Sequence, residues 1–139
     1  MHPLVDRASN SKVAIAELIG FGVDAIGNGR ATATLDAGPQ HANPMGTVHG
    51  GVLCDIADAA MGMAFVSTLA PDESFTTMSL TINFFRPVWR AHLRAEARVV
   101  NRSKNTGYLE CEIADQDGKL IAKAASTCTV LRGEHAKVR

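Results

Sequence analysis

Apolar and polar residues alternate along the first part of the chain in patterns that predict one helix and one hairpin. Residues 9–19 fit a short helix that Ser9 or Asn10 caps at its start. Residues 22–36 fit two strands joined at Gly27-Asn28-Gly29, because these residue types tolerate the positive φ angles of a tight hairpin turn.

A long helix is predicted after the Gly- and Pro-rich loop of residues 38–49. From Gly50 to about residue 70, apolar residues recur every three or four positions, which is the spacing of a buried helical stripe. At about 1.5 Å per residue, this helix would be about 30 Å long.

Four later segments alternate with the period of two that is typical of half-buried strands: residues 76–85, 92–100, 108–114 and 120–131. The apolar face of the first segment is predicted to hold Met78, Leu80, Ile82 and Phe84. Short connections make the strands antiparallel, and the long helix is the natural cover for their apolar face. The pattern predicts one α+β domain over residues 1–139, with about eight N-terminal and about seven C-terminal residues flexible.

Composition excludes several classes of function. The chain carries 14 basic and 14 acidic residues, and this neutral total argues against a nucleic-acid partner. The most apolar stretch, residues 59–70, is too short to span a membrane. Three widely spaced cysteines, Cys54, Cys111 and Cys128, fit buried free thiols in a reducing cytoplasm better than a disulfide framework or a zinc site.

The neutral total hides a basic segment. Residues 86–104 contain six basic residues and only Glu96 as an acid, a local net charge of +5. If residues 101–107 form a hairpin turn, Arg94 and Arg98 come close to acids on the next strand, namely Glu110 and Glu112. The basic residues left for an anionic ligand are then Arg86, Arg90, Arg102 and Lys104.

Two carboxylates stand on the otherwise apolar long helix. An unpaired buried carboxylate is costly, and desolvation raises its pKa towards the range that suits a general base or acid. Asp58 lies deeper in the helix and is the stronger candidate, whereas Asp55 also fits the favourable negative charge near a helix start. The alternative is that one of the two simply faces solvent.

The sequence His49-Gly50-Gly51 begins the same helix. Glycines there leave backbone N–H groups open at the positive end of the helix dipole, which makes a usable oxyanion hole for acyl transfer. The alternative is a plain glycine-rich turn in which His49 is a helix cap. No G-x-S-x-G elbow, H-E-x-x-H pair, nucleotide-binding glycine motif or metal-ligand spacing occurs, so no metal is expected.

At this point the sequence resembles a known family. Asn43-Pro44-Met45-Gly46-Thr47-Val48-His49-Gly50-Gly51, continued as VLCDIADAAMGMA, is similar to the hot-dog-fold acyl-CoA thioesterases, nearest to their phenylacetate-degradation branch. The sequence INFFRP at residues 82–87 supports the match, which spans about residues 15–131. The resemblance implies a hot-dog fold, in which an antiparallel sheet wraps a long central helix, and hydrolysis of an acyl-CoA thioester.

The resemblance also implies roles for single residues. Asp58 would be the general base or the nucleophile, and the Gly50 N–H would polarise the thioester carbonyl. Asn43 would place the water or the carbonyl, His49 would support the loop through hydrogen bonds, and Thr77 would assist. The site would lie between two subunits of a homodimer, with Asn43, His49 and Gly50 facing Asp58 and Thr77 of the partner, and such dimers commonly pair into a homotetramer.

Contacts with coenzyme A are implied at the residues Arg86, Asn105, Thr106, Gly107 and Arg132, with ordinary surface charge as the alternative. Coenzyme A is part of the substrate, so no separate cofactor is implied. The acyl group would be aryl or of medium chain length, and its pocket or the core would hold Met61, Met63, Phe65, Met78 and Phe84. Two other functions stay open: a non-catalytic module that binds acyl-CoA or an acyl carrier, and a purely structural oligomeric domain.

Overall fold

The computed structural model describes residues 2–10 and 12–137. Its helices are α1 (Pro3–Asn10), α2 (Ala14–Ile19) and α3 (Gly50–Val66), and its strands are β1 (Phe21–Gly27), β2 (Arg30–Ala37), β3 (Ser74–Phe84), β4 (Ala91–Arg102), β5 (Thr106–Ala114) and β6 (Leu120–Leu131). Single 3₁₀ turns cover Pro39–His41 and Gly133–Ala136. The strands form one antiparallel sheet in the order β1-β2-β4-β5-β6-β3, so the predicted α+β fold is confirmed.

Helix α3 packs against all six strands. Alanines on both partners allow a close approach: Ala57 and Ala60 on α3, and Ala33 and Ala95 on the sheet, are fully buried. Larger buried side chains such as Ile56 fill the remaining space. The helix is therefore apolar over most of its circumference, as its mixture of Ala, Leu, Ile, Met and Phe indicates.

The predicted helix over residues 9–19 is confirmed only over its second half, and its predicted start and cap are wrong. Helix α1 ends at Asn10, and α2 begins only at Ala14. Ser9 and Asn10 therefore close one helix rather than cap the start of another. Pro3 explains where α1 begins, because proline lacks the N–H that the first helical turn leaves without a partner. The flexibility expected of the chain ends stays a prediction.

The long helix ends at Val66, a few residues earlier than predicted. The hydroxyl of Ser67 donates to the Ala64 carbonyl at 2.7 Å and so competes with continuation of the backbone ladder. The same hydroxyl accepts the Gly29 N–H at 2.8 Å, which ties the end of α3 to the β1–β2 hairpin. That hairpin turns at the predicted place, since Asn28 and Gly29 have φ angles of 53° and 73°.

Strand β3 contains a bulge at Met78. Thr77 lies opposite Cys128 of β6, whereas Ser79 lies opposite Thr127, so Met78 is the extra residue. Alternation in sequence does not predict this bulge, because it exists only in the pairing with β6.

Because of the bulge, the face of β3 that packs on α3 differs from the predicted one. Upstream of it Thr77 points towards α3, and downstream of it Leu80 and Ile82 do so. Met78 is 65% exposed, so its predicted place on the apolar face is wrong. Phe84 is 51% exposed and lies at the end of the strand, where its ring contacts the start of α3.

The predicted charge pairing on the outer sheet face is partly confirmed. Arg98 pairs with Glu110 at 3.1 Å across the β4–β5 hairpin. Arg94 instead pairs with Glu96 of its own strand at 3.3 Å, because the register places Arg94 opposite Ala114. Exposed pairs of this kind contribute little to stability.

The three cysteines are free thiols, as predicted, but they differ in exposure. Cys111 and Cys128 are buried, whereas Cys54 on α3 is only half-buried. No helix in the described part of the chain combines the length and apolar character needed to cross a membrane.

Gly107 is expected to be intolerant of a side chain. A Cβ there would lie 2.8 Å from Cδ1 of the fully buried Phe65 ring, and closer still to Cε1. Gly107→Ala should therefore lower the free energy of unfolding by about 1–3 kcal/mol, because the ring has to leave its position. Gly22→Ala is the matched control, since nothing lies within 4 Å of its Cβ. Urea unfolding measures both, and equal stabilities would show that Phe65 moves aside without cost.

Candidate active site

The start of α3 presents an open backbone amide. His49 caps the helix, and its Nδ1 accepts the Gly51 N–H at 2.9 Å. The Gly50 N–H, by contrast, has no acceptor among residues 2–10 and 12–137. Because it lies at the positive end of the helix dipole, this amide is available to a carbonyl or anionic oxygen. The Phe84 ring lies 3.0 Å from where a Cβ of Gly50 would be, so glycine keeps the space between ring and amide open.

Asn43 organises the loop before α3. Its Oδ1 accepts the N–H groups of Met45 at 3.0 Å and Thr47 at 3.1 Å, and its Nδ2 donates to the Thr47 hydroxyl at 2.8 Å. One N–H of this amide group is left over, since Nδ2 carries two. Asn43, Gly50 and Arg86 line one cleft of about 430 Å³. The structure thus brings three of the predicted residues together at one end of α3.

Asp58 and Thr77 form a second group further along the helix. The Thr77 hydroxyl lies 3.5 Å from Asp58 Oδ1, where it donates a long hydrogen bond, and 3.7 Å from Cys128 Sγ. The bulge at Met78 makes this contact possible, because it lets Thr77 face α3 without turning the downstream apolar residues outward.

The pKa of Asp58 is raised above its ordinary value, although the side chain is exposed in the single chain. Desolvation by neighbouring atoms is the largest cause; the Thr77 hydroxyl lowers the pKa by stabilising the carboxylate, and the charge of Asp55 raises it. Desolvation also raises the pKa of half-buried Asp55. Both carboxylates lie on the accessible stripe of α3, and a pKa raised above the ordinary value makes each a stronger base, as acid–base chemistry requires.

The two groups of residues are separated within one chain. Asp58 follows Gly50 by eight positions in the helix, which corresponds to about 12 Å along the axis. One thioester cannot touch both groups of the same chain, since its carbonyl carbon and oxygen are directly bonded.

Two of the residues predicted to contact coenzyme A bond to each other instead. Arg132 donates to Asn105 Oδ1 and to Glu73 Oε2, both at 2.7 Å. Gly107 is buried within strand β5, and Thr106 beside it is exposed. Asn105 and Arg132 thus have a structural role at this hairpin, and contacts of these four residues with coenzyme A stay a prediction.

Sequence reasoning assigned no site role to two residues that the structure places at the groups above. Phe85 is exposed and lines the Gly50 cleft together with Phe84. Cys128 contacts the Thr77 hydroxyl. The segment INFFRP contains the signal for Phe85, but the contact of Cys128 depends on pairing between β3 and β6.

Comparison with known proteins gives relatives of stated activity. The family model of the thioesterase superfamily matches residues 45–122. The acyl-coenzyme A thioesterase PaaI of Escherichia coli is 33% identical over 111 residues, which cover 78% of this chain and 76% of that protein. The 1,4-dihydroxy-2-naphthoyl-CoA hydrolase of Listeria monocytogenes is 25% identical over 118 residues, which cover 85% of this chain and 94% of that protein.

Solved structures share the fold. The Escherichia coli PaaI protein from the phenylacetic acid degradation operon superposes with a TM-score of 0.81 at 28% identity, over 88% of this chain and 87% of that one. A conserved protein of Pseudomonas aeruginosa gives 0.81 at 32% identity, over 86% and 95%. A thioesterase of Haemophilus influenzae gives 0.83 at 24% identity, over 95% and 92%, and is evidence for the fold alone. The predicted hot-dog fold is confirmed.

Removing the Thr77 hydroxyl is expected to raise the pKa of Asp58 further, because its hydrogen bond favours the ionised carboxylate. Thr77→Val keeps the branched shape, and an NMR titration of the Asp58 carboxyl gives the pKa. Thr81→Val, on the exposed face of β3, is the control that should leave this pKa unchanged. An unchanged pKa in Thr77→Val would show that the 3.5 Å contact is not kept in solution.

Proposed function

The chain belongs to the thioesterase superfamily, and we propose that it hydrolyses an acyl-CoA thioester to a free acid and coenzyme A. The observation that carries this proposal is the combination of an open amide at Gly50 and a carboxylate with a raised pKa at Asp58 on one helix. A non-catalytic acyl-CoA or acyl-carrier module, or a structural domain, leaves the partly desolvated carboxylate without a purpose.

In the proposed reaction, the Gly50 N–H binds the carbonyl oxygen, which gains negative charge as the tetrahedral intermediate forms. Asp58 either takes a proton from the water that attacks the carbonyl carbon, or attacks that carbon itself to give a mixed anhydride that water hydrolyses. In both routes the carbon–sulfur bond breaks, and the coenzyme A thiolate leaves and takes up a proton. Thr77 holds the carboxylate, the spare N–H of Asn43 orients the water or the carbonyl, and His49 fixes the start of α3.

The proposed reaction needs no molecule other than the acyl-CoA substrate and water. The chemistry uses no cofactor besides the coenzyme A of the substrate, and no nucleic acid or membrane takes part in it. Three free thiols fit a reducing compartment, so we place the reaction in the cytoplasm.

Two subunits of a homodimer supply the reacting groups in this proposal. The separation of about 12 Å between Gly50 and Asp58 supports this arrangement, because each thioester needs both groups. Strand β3 offers the surface: it is 11 residues long, lies at the sheet edge and, among residues 2–10 and 12–137, pairs only with β6. An uncovered edge with exposed Met78 and Phe84 is prone to association, and a partner there would also approach the stripe that carries Asp58. The homotetramer implied by the resemblance stays a prediction.

A groove that reaches Ala59, the residue after Asp58 on α3, suits the acyl group. It has a volume of about 650 Å³, lies between α1, α2, β1 and α3, and has Ala59 and Met63 on its α3 side. Its mainly apolar lining supports an aryl or medium-chain acyl group. The other residues considered for this role lie elsewhere: in the core (Met61, Phe65), at the bulge (Met78) and at the Gly50 cleft (Phe84).

Asp58→Asn is expected to reduce hydrolysis by about 10²–10⁴-fold, the usual loss when a general base is removed. Release of free thiol from a panel of aryl- and medium-chain acyl-CoA substrates measures this. Asp55→Asn is the matched control, since it removes a neighbouring carboxylate that also has a raised pKa.

Loss of activity in Asp58→Asn should not come from unfolding. Because folding raises the pKa of Asp58, ionisation of this carboxyl lowers the free energy of unfolding as the pH rises through that pKa. Asp58→Asn has no such charge and should therefore be at least as stable as the wild type at pH 7. Undiminished hydrolysis by Asp58→Asn contradicts the mechanism, and acyl-CoA binding without turnover by the wild type favours the non-catalytic alternative.

Mixed dimers test the shared site. Asn43→Ala and Asp58→Asn each damage a different half of it, so co-expression in equal amounts should restore about a quarter of the wild-type activity. This value arises because about half of the dimers are mixed, and each mixed dimer holds one intact site. If one subunit contained a whole site, the mixture would show only the average activity of the two variants.

A further inference from the structure

The loop between β3 and β4, residues 85–90, presents an aromatic ring between two cations. Trp89 is the single tryptophan of the chain and is 61% exposed. Arg86 and Arg90 are exposed on either side of it in sequence. In the described part of the chain, neither arginine takes part in an ion pair or a side-chain hydrogen bond.

Most other members of the basic segment are already engaged. Arg94 and Arg98 pair with glutamates, and Arg102 donates to the Thr68 hydroxyl at 3.0 Å and lies 5.2 Å from the centre of the Phe65 ring. Arg132, outside that segment, is held by Glu73. Lys104 lies on the β4–β5 hairpin, so Arg86 and Arg90 are the cations of the segment that share one loop without acidic partners.

Backbone hydrogen bonds hold this loop beside the Gly50 cleft. The Val88 carbonyl accepts the Val48 N–H at 2.7 Å, directly before the His49 cap of α3. Arg86 lines the cleft that also contains Gly50. Trp89 is three residues from Arg86, which limits their Cα separation to about 11 Å.

We propose that the loop of residues 85–90 binds the 3′-phospho-ADP part of coenzyme A, with the adenine stacked on Trp89 and the phosphates on Arg86 and Arg90. Guanidinium groups match phosphate oxygens in charge and geometry, and an exposed indole offers a flat face to a base. The inference rests on the proposed function, because the thioester end would then lie at Gly50 and the pantetheine arm would run from there to the loop.

Intrinsic fluorescence tests the binding without any need for turnover. Since Trp89 is the single tryptophan, its emission reports on this loop alone. Coenzyme A and 3′-phospho-ADP should both quench the wild-type emission saturably, whereas pantetheine should not. Quenching by pantetheine alone, or no response to coenzyme A, would overturn the proposal. An emission that varies with protein concentration but not with coenzyme A would mean that a second subunit covers Trp89, and would overturn it too.

Kinetics with a truncated substrate distinguishes nucleotide binding by the loop from a purely structural role of the loop. Trp89→Ala and the double variant Arg86→Gln/Arg90→Gln should raise the KM for acyl-CoA about tenfold or more with little change in kcat. Neither should change kcat/KM for the matching acyl-pantetheine, which lacks the nucleotide. Tyr108→Ala and Arg30→Gln, an exposed aromatic residue and an exposed arginine elsewhere on the sheet, are the controls.

The outcomes distinguish this inference from the proposed function. Equal losses with both substrates would assign the loop a structural role and contradict nucleotide binding. A wild type that hydrolyses neither substrate would contradict the proposed function, while the fluorescence titration still decides whether the loop binds the nucleotide.

Discussion

The burial of helix α3 under a single antiparallel sheet is the constraint on which the rest of the structure depends. A helix that touches all six strands can carry polar groups only where no strand covers it. Asp55 and Asp58 lie on that narrow stripe, and the Gly50 amide lies at the uncovered end of the helix. The packing of the core therefore decides where chemistry can take place, and the loops only complete the arrangement.

Helix α3 also holds the two groups needed for the proposed catalysis far apart. It supplies an amide that can polarise a carbonyl and a carboxylate that can activate water, but its rigidity keeps them too far apart for one small reacting group. A flexible loop could bend to bring two such groups together, whereas a helix cannot. In the proposed homodimer, pairing two chains would bring the two groups together without distorting either helix, with the edge strand β3 as the proposed contact surface.

Strong periodic signals made most of the fold predictable from sequence. The α3 pattern and the turn at Asn28-Gly29 are local, and the structure contains both. The break between α1 and α2 was missed because helix and cap signals overlap near Ser9 and Asn10. For the site, residue types at the start of α3 indicated an open amide and a carboxylate. The roles expected of Asn43 and Thr77 rest on family resemblance, and the contact of Thr77 with Asp58 joins β3 to α3, which no local pattern connects.

The bulge at Met78 determines how this chain has to be aligned with other sequences. Phe75 and Thr77 face α3 upstream of the bulge, and Leu80 and Ile82 face it downstream. The residues that face α3 therefore have odd numbers before the bulge and even numbers after it. If an alignment places the gap one position away from Met78, the apolar positions still match. A residue other than Thr77 is then aligned with the position beside Asp58. Deletion of Thr77 would thus remove the bulge and bring Met78 to the position beside Asp58, while Phe75, Leu80 and Ile82 keep facing α3.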